Sequence, residues 1–179
     1  METIIATLSG FIIAFLAEPV KTYFQNRAKL RNLRIALYKE LINNYFALTH
    51  YTAQDDFGFF TAEYTARHSL RTECYKQALQ NDLSSFYELV EANAINVLYA
   101  HISMIMNVTS DLTSIFGKRG VKKATPPIYT EFSNTFRWMF VTSFYSRTFD
   151  GKTLKRLVSP KQYREIMEKG KEEFEKAKE

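Results

Sequence analysis

One cysteine, one tryptophan, three histidines, six glycines and four prolines are few for 179 residues, and each scarcity removes a class of protein. A single thiol, Cys74, can build neither a disulfide framework nor a cysteine zinc site, and it fits a reducing compartment. So few turn residues argue against a many-stranded β fold and for helices. His50, His68 and His101 are too scattered for a sequence-local metal site. The stretch GKRG offers Gly117 and Gly120 but lacks the further glycine spacing and the Lys-Ser or Lys-Thr of a phosphate cradle, so it reads as a basic loop. Glu88 and Glu91 stand at i, i+3, a pair that is ordinarily solvated, and the Glu-x-x-His of a di-metal site is absent. Cys74 lies at helical spacing among apolar residues and reads as a small buried hydrophobe. No catalytic group or cofactor site emerges, and the expectation is a protein that is not an enzyme.

What the chain has in quantity is apolar and aromatic volume. Apolar residues make up 46%, with fifteen Phe and eleven Tyr, enough for a packed core in a single domain. The net charge of +5 is unevenly spread. Residues 18–44 balance at +4, residues 45–116 at −5, and the short loop 117–123 at +4. Basic blocks beside an apolar segment are the pattern of a membrane flank more than of a continuous nucleic-acid track.

The apolar segment is TIIATLSGFIIAFLA, fifteen residues from Thr3 to Ala17 without a charge. At about 1.5 Å per residue it falls short of the roughly 30 Å hydrocarbon core. Val20, Tyr23 and Phe24 extend the apolar face, Lys21 can snorkel, and the two rings suit an interfacial belt. Lys21, Arg27, Lys29, Arg31 and Arg34 then follow, and the positive-inside rule puts everything after Ala17 in the cytoplasm. A cleavable signal fits poorly, because the basic n-region is missing. A buried core helix, packed between subunits of a soluble oligomer, is the competing reading. Gly10 and Ala14, with Ala6 and Ala17, form a small-residue face through which membrane helices could pack.

Glu18-Pro19 reads as the end of the first helix and the start of a second. Leu30, Leu33, Leu37, Leu41, Tyr45 and Leu48 then make one stripe on an amphipathic helix to about Tyr51. Asn43, Asn44 and Tyr45 could line a polar pocket or simply belong to the helix end. Ser69 suits an N-cap for a helix carrying Leu70, Cys74, Ala78 and Leu79, and Phe59 to Arg67 reads as a short helix or ordered loop. Leu83, Phe86, Val90, Ala94, Val97, His101, Met104, Val108, Leu112 and Ile115 keep a three-four rhythm, predicting one core helix from Asp82 to Gly117. His101 on that stripe reads as a hydrogen-bonded core residue. A helix over 128–147 buries Phe132, Phe136, Met139, Phe140 and Phe144. Asp150-Gly151 marks a turn, and Ser159-Pro160 with Gln162 predicts a capping box for the last helix.

The expected architecture is all-α: an N-terminal transmembrane helix (residues 1–24), then a cytoplasmic antiparallel bundle of about four main helices (25–179). The series GFIIAFLAEPVKTYFQNRAKLRNLRIALYKELINNY, followed by LRTECYKQALQNDLSSFYELVEANAINVLYAHI, resembles a diffuse class of small prokaryotic proteins with an N-terminal membrane helix and a cytoplasmic helical bundle. By architecture, that resemblance implies a binding or scaffold protein, an accessory or membrane-perturbing effector component of an antiviral defence system. Expected partners are membrane lipids and a protein partner or second copy, at the inner membrane in a single pass. Lys118, Arg119, Lys122 and Lys123 join the basic residues above as lipid-facing candidates. The alternative is a soluble oligomer binding nucleic acid through its basic helix.

Overall fold

A computed structural model describes residues 2–52, 70–116 and 127–178, with side chains over 17–49, 70–108 and 130–178. The expected Ser69 cap, the segment 59–67 and the basic loop 117–123 lie outside the described residues. Among the described residues the chain is all-helical, without strands, in seven helices. They are α1 (Glu2–Thr52), α2 (Glu73–Asn81), α3 (Leu83–Tyr87), α4 (Ala92–Phe116), α5 (Pro127–Tyr145), α6 (Gly151–Leu157) and α7 (Pro160–Lys176).

The expected break at Glu18-Pro19 is absent. α1 runs through it as one helix of 51 residues with Pro19 inside. Proline removes one backbone hydrogen bond and costs about 3 kcal/mol in a helix interior. Here Ala17, Glu18 and Lys21 supply helix formers on both sides, and the Thr22 hydroxyl donates to the Glu18 carbonyl at 2.9 Å. The second half of α1 carries the predicted stripe: Leu37, Leu41, Tyr45 and Leu48 are buried, and Leu30 and Leu33 pack against them.

Contacts along α1 fix the topology. Asn44 meets Arg71, Glu40 meets Cys74, and Lys29 pairs with Asp82, so α2 runs back along α1. Glu91 meets Arg34 and Tyr99 meets Glu40, so α4 runs parallel to α1. Phe144 packs on Tyr38 and Phe140 on Tyr45, which makes α5 antiparallel to α1. α7 then lies parallel to α5, with Gly170 against Val141 and Phe174 against Tyr145. Thus α1, α2, α4 and α5 alternate in direction as an antiparallel bundle does, and the departure from that expectation is α7, which packs parallel to α5 because the short α6 turns the chain back between them.

The single helix expected from Asp82 is divided. α3 ends at Tyr87, and the tight bonds Leu89 N–H to Phe86 O (3.1 Å) and Ala92 N–H to Leu89 O (3.0 Å) form a turn before α4. This turn places Leu89 and Glu91 inward together, each 3% exposed. It also changes which face of α4 is buried. The core stripe is Ala92, Ile95, Leu98, Tyr99, Ile102 and Ile105, while Val90, Val97 and Met104 of the expected stripe are exposed at 93%, 42% and 44%. α4 carries apolar residues on more than one face, so two rhythms coexist in its sequence and its packing selects between them.

α5 buries Phe136, Phe140 and Phe144, with Phe132 and Met139 partly covered, as its sequence predicts. Tyr45 stacks on Phe140 at 4.6 Å between ring centres, and Phe149 closes the cluster against Tyr38 and Phe144. Asp150 does more than mark a turn: its side chain accepts from Lys152 N–H at 3.0 Å and caps α6. The predicted capping box forms at Ser159 and Gln162, with Pro160 in the first turn of α7.

Candidate functional site

From Ala17 to Lys29 every described side chain of α1 is exposed, including Val20 (52%), Tyr23 (60%) and Phe24 (61%). α1 therefore enters the packed body at Leu30, and residues 17–29 extend beyond it with their side chains uncovered. Among the described residues no helix is long and apolar enough to cross a membrane. The side chains of residues 1–16, which carry most of the expected anchor together with Gly10 and Ala14, lie outside those residues.

The basic candidates separate by environment. Lys21, Arg27 and Arg31 are exposed on α1, and Lys29 pairs with Asp82 while still half exposed. Arg34 belongs elsewhere. Its Nε and Nη2 grip the two oxygens of Glu91, the second at 3.2 Å, so it ties α1 to the start of α4 rather than facing outward. Lys118, Arg119, Lys122 and Lys123 lie outside the described residues.

Two carboxylates that composition suggested would be solvated or unremarkable are the polar keys of the fold. Glu91 receives Arg34 and also the Tyr38 hydroxyl at 3.1 Å, and Tyr38 Oη in turn accepts the Asp150 N–H at 2.8 Å. Burial first, and then the neighbouring Glu91 charge, push the Tyr38 phenol well above its ordinary range. Glu88, its expected companion, is exposed. Glu40, 5% exposed, accepts the backbone N–H groups of Cys74 (2.9 Å) and Tyr75 (3.3 Å) and the Tyr99 hydroxyl (2.7 Å). A carboxylate suits this position because the first turn of α2 presents unpaired N–H groups and the positive end of the helix dipole. One turn on, fully buried Asn44 accepts Arg71 N–H and donates to Arg71 O, both at 2.8 Å. Sequence reasoning missed Glu40; the available signal was the pair Glu40 and Asn44 at i, i+4 beside the Leu37–Leu41 stripe.

These two clamps hold the start of α2 rigidly against α1 and frame a groove of about 460 Å³. Asn32, Lys39 and Asn43 line it from α1, Ile35 and Ala36 form an apolar floor, and Arg71 and Cys74 close the far wall. Of the three residues that the sequence left between a polar pocket and an ordinary helix end, Asn43 lines this groove, while Asn44 and Tyr45 are buried in the core. Lys39 and Arg71 outweigh the one lining carboxylate, Glu40, which is already occupied by Cys74 N–H, Tyr75 N–H and the Tyr99 hydroxyl, so the groove is net basic beside an apolar surface and suits an anionic group carried on an apolar segment. Burial, and then the Glu40 charge, raise the Cys74 thiol, which opposes its use as a nucleophile. A second groove of about 460 Å³ lies between α5 and α7, where half-exposed Trp138 sits beside Arg137, Asn134 and Lys169. His101 is half-buried, with Nδ1 2.9 Å from the Val97 carbonyl and its ring edge-on to Phe132. Among the described residues no group of three or more His, Cys, Asp or Glu is placed to hold a metal ion.

Comparison with known proteins returns no matching family model, no matching curated protein and no matching solved structure.

Proposed function

We propose that this chain is a membrane-tethered binding module: the N-terminal part of α1 anchors it, and the helical body beyond Leu30 engages a protein partner in the cytoplasm. The observation that carries this reading is the exposed stretch Ala17–Lys29, where an otherwise well-packed chain continues a helix into solvent with Val20, Tyr23 and Phe24 uncovered. Over Ala17–Lys29 the described tie to the body is the half-exposed Lys29–Asp82 ion pair, which stabilises little, and a lone helix in water is marginal. A bilayer supplies the missing contact. The fifteen uncharged residues before Glu18 enter the hydrocarbon, Tyr23 and Phe24 lie at the interface, and Lys21, Arg27 and Arg31 meet anionic headgroups at about 1 kcal/mol each. The groove between Lys39 and Arg71 supports the binding half of the reading, as a firmly framed surface for an acidic segment.

Fractionation of cells expressing the full chain tests the proposal. The protein is expected in the membrane pellet after high-salt washing and in solution only with detergent. Release by salt alone would overturn the anchor and return the N-terminal segment to a subunit interface.

A further inference from the structure

From Pro19 to Lys39 α1 carries six basic residues and no Asp or Glu. Two of the six are engaged within the protein, Lys29 by Asp82 and Arg34 by Glu91. Lys39, at the far end of this run, enters none of the described ion pairs and lines the groove between α1 and the start of α2. Exposed Arg71 does the same from the opposite wall, and its backbone is held firmly. Its N–H donates to Asn44 Oδ1 and its carbonyl accepts from Asn44 Nδ2, both at 2.8 Å, so a fully buried amide fixes residue 71 while its side chain stays outside. The nearby acids are already occupied: Glu40 serves three donors, and Glu73 accepts Thr72 N–H at 3.2 Å. Along α1 the groove has a regular edge. Asn32, Ala36, Lys39 and Asn43 follow at steps of four, three and four, a straight row about 16 Å long on one helix face. Ile35 and Ala36, both half-buried, are its apolar part.

We infer that this groove is the docking site of an acidic amphipathic helix on a partner protein, with Arg71 as the residue that selects for a carboxylate. A row at heptad steps is the edge along which a neighbouring helix packs. Arg71 presents a planar fork that matches a carboxylate on two prongs, and Lys39 adds a point charge. Small apolar side chains of the partner helix meet Ile35 and Ala36, while Asn32 and Asn43 bond polar groups at the two ends of the row. The acid-free run of α1 leading to the groove favours encounter with a negative segment. Other anions fit less well. A phosphate site at a helix N-terminus needs unpaired amides, and Glu40 already takes those of Cys74 and Tyr75. A nucleic-acid strand stacks its bases on aromatic rings, and none of the described residues lining the groove is aromatic. Lipid headgroups are distant, because Lys39 lies 18 residues beyond Lys21, about 27 Å along α1 and about three Debye lengths at physiological salt. That last exclusion rests on the membrane reading above; the charge and shape of the groove do not.

The test selects binders to the full chain, in mild detergent, from a library of soluble helices whose outward face is randomised on a fixed scaffold. The selected helices are sequenced and their affinities measured by fluorescence polarisation, with helicity and thermal midpoint as folding controls for each variant. They are expected to carry Asp or Glu within one turn of a small apolar residue. Arg71→Gln is expected to weaken them about tenfold with helicity and midpoint unchanged, because Asn44 grips only the backbone of residue 71. Arg71→Lys keeps the charge but not the fork, and is expected to recover only part of that loss. Arg27→Gln, outside the groove, is expected to change affinity by about twofold or less. Selected helices without acidic enrichment, or helices indifferent to Arg71→Gln, overturn the inference. So does tighter binding of inorganic phosphate, a single-stranded oligonucleotide or anionic phosphatidylserine vesicles that is lost in Arg71→Gln, which would assign the groove to that anion. If the chain proves salt-soluble yet acidic helices are selected through Arg71, the anchor fails and the groove stands. If it stays in the membrane and no acidic helix is selected, the anchor stands and the groove fails.

Discussion

Arg34 and Glu91, 57 positions apart, form a two-pronged ion pair that fastens α1 to the head of α4. The carboxylate is 3% exposed and the guanidinium side chain 28%, so the pair is partly screened on one side only. Arg34→Ala would leave Glu91 buried with Tyr38 as its remaining donor. A cost of about 3 kcal/mol is expected, since removing one partner strands a buried charge. Arg34→Met with Glu91→Leu is expected to recover part of that loss, because apolar packing nearly matches a paired desolvation of two ions, while the buried Tyr38 hydroxyl loses its acceptor and limits the gain. Urea unfolding of the two variants checks both numbers. A double variant as unstable as the single one would mean that the pair supplies shape rather than charge balance.

Glu40 makes a different kind of prediction. Its oxygens serve two backbone N–H groups and a phenol, so Glu40→Ala leaves Cys74 N–H, Tyr75 N–H and the Tyr99 hydroxyl without this acceptor. A loss of about 2 kcal/mol is expected from the unsatisfied groups. The local signature is faster amide hydrogen exchange at Cys74 and Tyr75 than in the rest of α2. Uniform acceleration across the whole bundle would show that Glu40 acts on global stability and does not cap the helix.

Most of the core was legible because it rests on single stripes. Leu37, Leu41, Tyr45 and Leu48 on α1, and Phe136, Phe140 and Phe144 on α5, each have one plausible inward face. The Ser159–Gln162 box was legible because capping is local chemistry. α4 was not, since Ile95, Leu98, Ile102 and Ile105 offer a second rhythm beside Val90, Val97 and Met104. Which rhythm faces inward depends on the turn at 88–91, where Leu89 is buried and Glu91 pairs with Arg34 on α1. Long-range pairings of this kind leave little local mark: Glu40 and Asn44 could be seen at i, i+4 beside the apolar stripe, but their partners at Cys74 and Arg71 could not.

Gly170 sits where α7 crosses α5 most closely. A Cβ built there would lie 2.5 Å from the Val141 carbonyl oxygen and 3.0 Å from Tyr145 Cβ. Alanine gains up to about 1 kcal/mol of helix propensity over glycine. Overpacking against backbone costs about 1–3 kcal/mol, and a carbonyl cannot rotate out of the way as a side chain can. Gly170→Ala is therefore expected to be net destabilising, lowering the thermal midpoint, with Tyr145 and Phe174 separating. A raised midpoint would show that the two helices are free to slide apart at no cost.

Alkaline pH should unfold the bundle through its buried phenols. Burial, and then the Glu40 charge, hold the Tyr99 phenol well above its ordinary 10.0, and burial with Glu91 does the same to Tyr38. The folded state thus keeps protons that the unfolded chain gives up around pH 10. Stability from these two groups is complete below that pH and falls as pH rises above it, by roughly 1.4 kcal/mol per pH unit for each phenol. Phenolate absorbance and helical ellipticity recorded together decide the matter. The last phenolates are expected to appear only as ellipticity collapses, in one cooperative step. Complete phenol ionisation in a chain that keeps its helicity would contradict the burial of Tyr38 and Tyr99. Tyr99→Phe removes one of the two groups, so the dependence of stability on pH above 10 should become shallower even though the variant starts out less stable.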